Sequence, residues 1–327
     1  MRHTQVVSQQ RVQAWLATRK RLRANRFTLT ETASTWYPDL PKVAGTPLLT
    51  RAEWIPERPL PLSSIDLVYR DATPPPTYPA PVPPGFDCYS AAVAALDAPT
   101  VFENRPTYRL LDANLRGDRG RLVFGAGRYF DGIDVGEAAA HELAAGGPTP
   151  LRDAIGDPRD LDRRVAGMAV SALTVRDGSP RTMLLHWRDP DRAGHAGGLY
   201  QVVPVGVFQP PGFSLWSLLV REFAEEVLGA SEFEPVPAGF ADDLAAEVAA
   251  GSVRIWCVGL GVDPLTFATD LLVVVVASAA AFDELLGGWV TLNDEGTVFS
   301  RELADGVSDL PMQAAGSAVI RCSLPFL

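Results

Sequence analysis

The sequence predicts an α+β protein in two parts, and three observations predict it. Apolar residues recur at strand period in some runs and at helical period in others, in mixed order along the chain. The 327 residues fit about two domains. Near residue 165 the character changes: strands come first, then a helix with three carboxylates, then more strands and helices. This places an N-terminal α+β domain at 1–164 and a layered α+β domain at 165–327.

Composition narrows the function classes. The chain is 47% hydrophobic and 21% charged, with a net charge of -10 and no long basic cluster. General nucleic-acid binding is disfavoured, although a metal could still hold a single nucleotide. Cys88, Cys257 and Cys322 are odd in number and far apart, so they suggest neither a disulfide framework nor a zinc site. Met1–Arg26 is polar and basic without an apolar core, unlike a signal peptide. The longest apolar run, Leu271–Phe282, is shorter than the roughly 20 residues of a membrane span. The expectation is a cytoplasmic protein with no membrane partner.

In the N-terminal part, Gln5–Arg26 reads as one amphipathic helix. Its basic run Arg19–Arg26 suits an acidic partner or a solvated helix end. Pro38–Pro61 reads as irregular packing and Ile65–Tyr69 as a strand. Residues 72–85 hold seven prolines and read as an extended connector. A short helix is expected at Ser90–Leu96, and strands at Tyr108–Leu115 and Arg121–Phe124, with Arg128–Gly132 continuing the β-rich part. Val135–Ala145 reads as a helix ended by Gly146. Glu137 and His141 stand at i, i+4 and could share a metal, but no third ligand is near, so a capping or solvated role fits better. Tyr129, Asp131 and Asp134 read as a turn or as a ligand wall.

In the second part, Ala169–Arg176 and Arg181–Trp187 form a hairpin around Asp177-Gly178. Leu199–Phe208 reads as one strand, and Phe240–Ala250 as a helix. Val253–Leu260 is a strand, and the β-branched Leu271–Ala277 a buried central strand. Phe282–Leu286 is a short helix, Trp289–Leu292 an edge strand, and Met312–Arg321 a closing helix.

Ser214–Gly229 carries the chemistry. Ser214 can cap its N-terminus and Gly229 can end it. Trp216, Val220, Phe223 and Val227 make one apolar stripe. Glu222, Glu225 and Glu226 stand at i, i+3, i+4 and meet on another face. Three crowded carboxylates repel unless a positive group sits among them, and a hard cation such as Mg2+ suits oxygen donors.

Arg221-Glu222-Phe223-Ala224-Glu225-Glu226 resembles the helical half of the Nudix box, G-x5-E-x7-R-E-U-x-E-E-x-G-U, where U is bulky and aliphatic. Gly206 stands one residue too far from Arg221, Gly229 comes one residue late, and Phe213 takes the place of the first Glu. The approach Gly197–Gly206 and the segment Trp289–Glu295 are also similar to that family. The resemblance covers residues 165–327 and implies a Nudix-like α/β/α sandwich around a mixed sheet. It implies a Mg2+-dependent (or Mn2+-dependent) hydrolase that cleaves a diphosphate linkage in a nucleoside diphosphate derivative. Glu222, Glu225 and Glu226 would hold the metal and perform catalysis. Arg188 and Arg221 would contact the substrate phosphates or form ordinary salt bridges. Asp270, Asp294 and Glu295 are later candidates for the general base, and the 189–198 loop for substrate choice. A homodimer is compatible with this reading. The alternative is a non-hydrolytic, Nudix-like regulatory protein that senses a nucleotide or related metabolite, for which Phe213 and the shifted glycines speak.

Overall fold

A computed structural model describes residues 2–99, 101–190, 197–231, 235–293 and 295–327, with side chains from residue 9 onward. Asp294 and most of the 189–198 loop lie outside the described residues.

The chain begins with α1 (Arg2–Ala24) and α2 (Arg26–Thr35), two helices where the sequence suggested one. Asn25 separates them without a side-chain cap. The basic run finds its acids inside the chain. Arg19 and Arg23 bond Asp97, and Arg26 makes a buried bidentate pair with Glu137. After the irregular 38–59 stretch come β1 (Leu60–Pro61), β2 (Ile65–Tyr69) and α3 (Tyr89–Leu96), with the proline connector between β2 and α3. The hairpin β3 (Pro106–Asn114) and β4 (Gly120–Arg128) follows. β2 joins it to make a small sheet ordered β2-β4-β3.

The chain turns helical directly after Arg128, where more β structure was expected. α4 (Tyr129–Gly132) runs through a π-helical turn at Ile133–Glu137 into α5 (Ala138–Ala145). Gly146, at φ 72, ends it. Asp131 is the reason for the switch: its carboxylate accepts from the Arg128 backbone N–H and closes the first turn. α6 (Pro150–Ile155) follows, started by a proline at its first position.

The large sheet is mixed and nine-stranded. It contains β5 (Met168–Asp177), β6 (Thr182–Arg188), β7 (Tyr200–Val202), β8 (Val205–Val207), β9 (Val253–Val262), β10 (Thr269–Ser278), β11 (Leu292–Asn293) and β12 (Gly296–Glu302). The order is β1-β9-β10-β5-β6-β12-β11, with β7 beside β6 and β8 beside β5. Among the described residues of this sheet, β10 and β5 run parallel and the other paired strands run antiparallel. The single strand expected at Leu199–Phe208 is two, because Val203-Pro204 interrupts the ladder. The expected edge strand at Trp289–Leu292 shrinks to β11, and β12 takes its place against β6.

Helices cover both faces. α7 (Leu215–Glu222), α8 (Phe240–Ala250) and α9 (Ala279–Leu286) lie on one face with Val273 and Val275 of β10. α10 (Ala314–Ser323) lies on the other with Val274 and Val276. β10 is thus apolar on both sides, as a central strand must be. This is an α/β/α sandwich around a mixed sheet, the arrangement the resemblance implied. The first-face core runs on into the N-terminal part through Leu60, Leu122 and Phe124, across position 164/165. β1 adds to the large sheet, and Leu110 N–H donates to Ala166 O.

Candidate functional site

α7 starts as expected: Ser214 Oγ accepts from Ser217 N–H at 3.2 Å. Leu218, Leu219, Val220, Phe223 and Val227 are buried, whereas Trp216 is half-buried. After Glu222 the helix widens into a π-turn at Phe223–Val227, where Leu228 N–H donates to Phe223 O. A π-turn takes up one extra residue. That accounts for the late glycine: Gly229, at φ +76, closes the helix one position after the family pattern. A Cβ there would come within 2.7 Å of Val290.

Phe213, in place of an acid, is an aromatic anchor. Its ring meets those of Tyr69, Tyr108, Phe124 and Phe208 with centroids 5.0–6.1 Å apart. It ties the entry to α7 to the small N-terminal sheet. Arg221 has found other partners. Its Nη2 donates to Glu222 Oε1 at 2.6 Å, and its Nε lies 3.7 Å from Glu225.

The carboxylates sit between α7 and the edges of β6 and β8. Glu222 is buried against Gly206, where a Cβ would lie 2.0 Å from Glu222 Cδ. Glycine at 206 is therefore what admits this carboxylate. Glu226 is buried too, and its Oε2 accepts from Val205 N–H at 2.7 Å. Glu225 is half-buried. Arg188, at the end of β6, lies 3.9 Å from Glu226 and donates to Glu295 at 2.7 Å. Asn293 Nδ2 donates to the Glu226 carbonyl, and its Oδ1 accepts from the N–H groups of Glu295 and Gly296.

Among the described residues, this placement sets more carboxylates than guanidinium groups in a largely buried region. Burial pushes Glu222 up to about 7, with Arg221 opposing and Glu225 and Glu295 adding to the shift. Burial and then the neighbouring Glu222 push Glu226 well above the usual carboxylate range. Among the described residues, no three His, Cys, Asp or Glu side chains already converge as a metal cluster. Glu222 is turned to Arg221, Glu226 to the Val205 amide and Glu295 to Arg188. The donor set nevertheless fits a hard divalent cation: all are carboxylate oxygens, and two are raised by burial and mutual repulsion.

The remaining candidates are engaged elsewhere. Asp270 is buried and accepts from Ser171 Oγ. Glu137 pairs with Arg26, and His141 Nδ1 lies 3.2 Å from Tyr89 Oη, so the i, i+4 pair shares no ligand. Asp134 accepts from the Ser90 N–H and hydroxyl, and it joins α3 to the helix after α4. Two cavities, of about 540 and 280 Å³, are not lined by any of these carboxylates. Sequence reasoning missed His186 and Asn293 beside Arg188. The signal was available in part: His186 and Arg188 alternate on one strand and so share a face.

No protein-family model matches the chain, and no curated protein matches it. Solved structures similar to it include Shewanella oneidensis NrtR complexed with a 27mer DNA, at 17% identity and TM-score 0.32, covering 48% of this chain and 59% of that one. The NUDIX domain of the same NrtR complexed with ADP ribose is 17% identical, with TM-score 0.34, covering 55% of this chain and 98% of that one. A bifunctional NMN adenylyltransferase/ADP ribose pyrophosphatase from Francisella tularensis, complexed with AMP and a Mn ion, is 14% identical, with TM-score 0.34, covering 56% of this chain and 49% of that one. The chain thus spans less than two thirds of the NrtR–DNA structure and of the bifunctional enzyme.

Proposed function

We propose that the protein is a divalent-metal-dependent, Nudix-type hydrolase that cleaves a diphosphate linkage in a nucleoside diphosphate derivative. One observation carries the proposal. Glu222 and Glu226, from a helix of sequence RExxEE, are buried side by side with their charge only partly met by Arg221 and Arg188. Uncompensated buried carboxylates are costly in a purely structural role, and they cluster at functional sites. Glu222, Glu225 and Glu226 would hold Mg2+ or Mn2+, which when bound supplies charge neutralisation at diphosphate oxygens and a more acidic water. Glu225, the most exposed of the three, would take the proton of the attacking water. The new bond joins the water oxygen to phosphorus, and the bridging oxygen leaves with the other phosphate. Arg188 and Arg221 set positive charge beside the carboxylates, where an anionic group would dock.

A second reading rests on Phe213. The aromatic anchor joins the site to the N-terminal sheet, and such a link suits a regulatory protein that binds a nucleotide and signals through its other half. Incubation with Mg2+ or Mn2+ and a panel of nucleotide sugars, dinucleotides and nucleoside triphosphates separates the two. Metal-dependent product from the wild type, reduced roughly 10²–10⁴-fold by Glu225→Gln with Glu226→Gln, is the expected result. Saturable thermal stabilisation by one compound without turnover would instead establish the regulatory reading.

A further inference from the structure

Behind Arg188 lies a set of buried polar atoms that neither the metal nor the phosphate contacts use. His186 is fully buried on β6, and among the described residues neither Nδ1 nor Nε2 has a hydrogen-bond partner. Gln201 on β7 is 2% exposed, and its Nε2 also lacks a partner. The two residues are directly opposite one another in the β6–β7 ladder, so their side chains stand on the same face, a few ångströms apart. Arg188, two residues beyond His186, shares that face. Asn293, which braces Glu226, lies near enough to the imidazole to oppose in part the effect of burial, but outside hydrogen-bond geometry. Three unpaired nitrogens on two facing side chains, next to the carboxylate site, are not the pattern of a settled core. Buried polar atoms in native proteins are almost always satisfied, and exceptions call for a ligand or an internal water.

The chemistry of the partner follows from the atoms. Burial keeps the imidazole neutral, so one ring nitrogen donates and the other accepts. The Gln201 amide adds a donor. An O–H group, which gives and receives on one oxygen, satisfies such a set; a phosphate oxygen cannot, because it only accepts. Resting on the diphosphate reading above, we propose that His186 and Gln201 form a hydroxyl-recognition niche of the same site. It would take a sugar hydroxyl of the nucleotide, while Arg188 and the carboxylates handle the diphosphate. A resident water has the same chemistry and is the competing occupant.

The test compares ADP with 2′,3′-dideoxy-ADP by calorimetric titration in the presence of Mn2+. The proteins are the wild type and the separate variants His186→Phe and Gln201→Met. Both substitutions replace an unpaired polar group with an apolar one of similar size, and should leave the melting temperature equal or higher. A pocket built around a hydroxyl rejects the analogue lacking it, so the wild type should prefer ADP by about tenfold or more. Each variant should bind ADP more weakly and lose that preference while binding dideoxy-ADP as the wild type does. Equal wild-type affinity for the two nucleotides would assign the niche to a water and overturn this inference alone. Preference retained in both variants would do the same. A wild type that binds neither nucleotide would overturn the diphosphate reading and this inference with it.

Discussion

Two buried charge clusters in this molecule are built on opposite principles. In the N-terminal part, Arg26 meets Glu137 through two hydrogen bonds of 2.8 and 2.9 Å, and both side chains are buried. Arg19 bonds both Asp97 and Tyr89, and the Tyr89 hydroxyl reaches His141. Each carboxylate there meets at least one guanidinium group, with Asp97 taking both Arg19 and Arg23. In the carboxylate site, among the described residues, the four carboxylates Glu222, Glu225, Glu226 and Glu295 stand beside the two guanidinium groups of Arg221 and Arg188. The first cluster fastens α1 and α2 to α5; the second, on the function proposed above, would hold its carboxylates for a cation. Matched burial is the mark of structure, and mismatched burial the mark of a site.

Breaking the matched pair should give the largest effect. Arg26→Leu takes the paired guanidinium from the buried Glu137 carboxylate and should cost roughly 3–5 kcal/mol in urea unfolding. Replacing both partners with apolar residues should recover most of that loss. A small effect of Arg26→Leu alone would remove the distinction between the clusters.

Next comes pH. Glu222 sits at about 7 in the folded protein, above the ordinary 4.5, so it stays protonated where the unfolded chain has ionised. Its contribution is therefore full below pH 4.5 and is lost as pH rises towards 7. Glu222→Gln should remove that loss and stabilise the protein at pH 8 by about 1–3 kcal/mol, with little change at pH 4.5. His141 tilts the other way. Burial lowers it to about 4 from 6.5, so its neutral form supports folding above 6.5, and that support fades as pH falls towards 4. His141→Gln should flatten the acid limb. Urea titrations across pH 4–8 read both slopes, and an unchanged slope in either variant contradicts its assignment.

The smallest expected effect concerns the link between the regions. Phe213→Ala empties the centre of the aromatic cluster and should cost roughly 2 kcal/mol, because the ring is only half-buried. If the small sheet braces α7, the same variant should also speed hydrogen exchange at the β2 amides. Stability loss without that change would mean the contact is local.

These regions differ in how much the sequence disclosed. Strands β2, β5 and β6 were legible because short runs rich in strand-forming residues lie between clear turn residues, and β10 because its run of β-branched residues is continuous. The carboxylate helix was legible because its spacing is local. α2 was missed because its helix-poor threonines, Thr28, Thr30, Thr32 and Thr35, hide the pattern. β12 was missed because Thr297, Phe299 and Arg301 alternate with residues of mixed burial. The π-turn at Phe223–Val227 showed only as a glycine one place late. The matched cluster was invisible: Arg26 and Glu137 stand 111 residues apart, and no local spacing announces such a pair. Likewise, the orphaned nitrogens of His186 and Gln201 exist only once β6 and β7 are paired.

The central claim is that the mismatched carboxylates await a cation, and titration calorimetry with Mn2+ and Mg2+ tests it most directly. The wild type should bind saturably at pH 6.5 and release protons, because burial raises Glu222 to about 7 and its carboxyl is largely protonated there, so the heat should depend on the buffer. The Glu222→Gln, Glu226→Gln double variant should lose both the binding and the proton release. Identical isotherms from the two proteins, or no saturable heat from the wild type, would contradict the account.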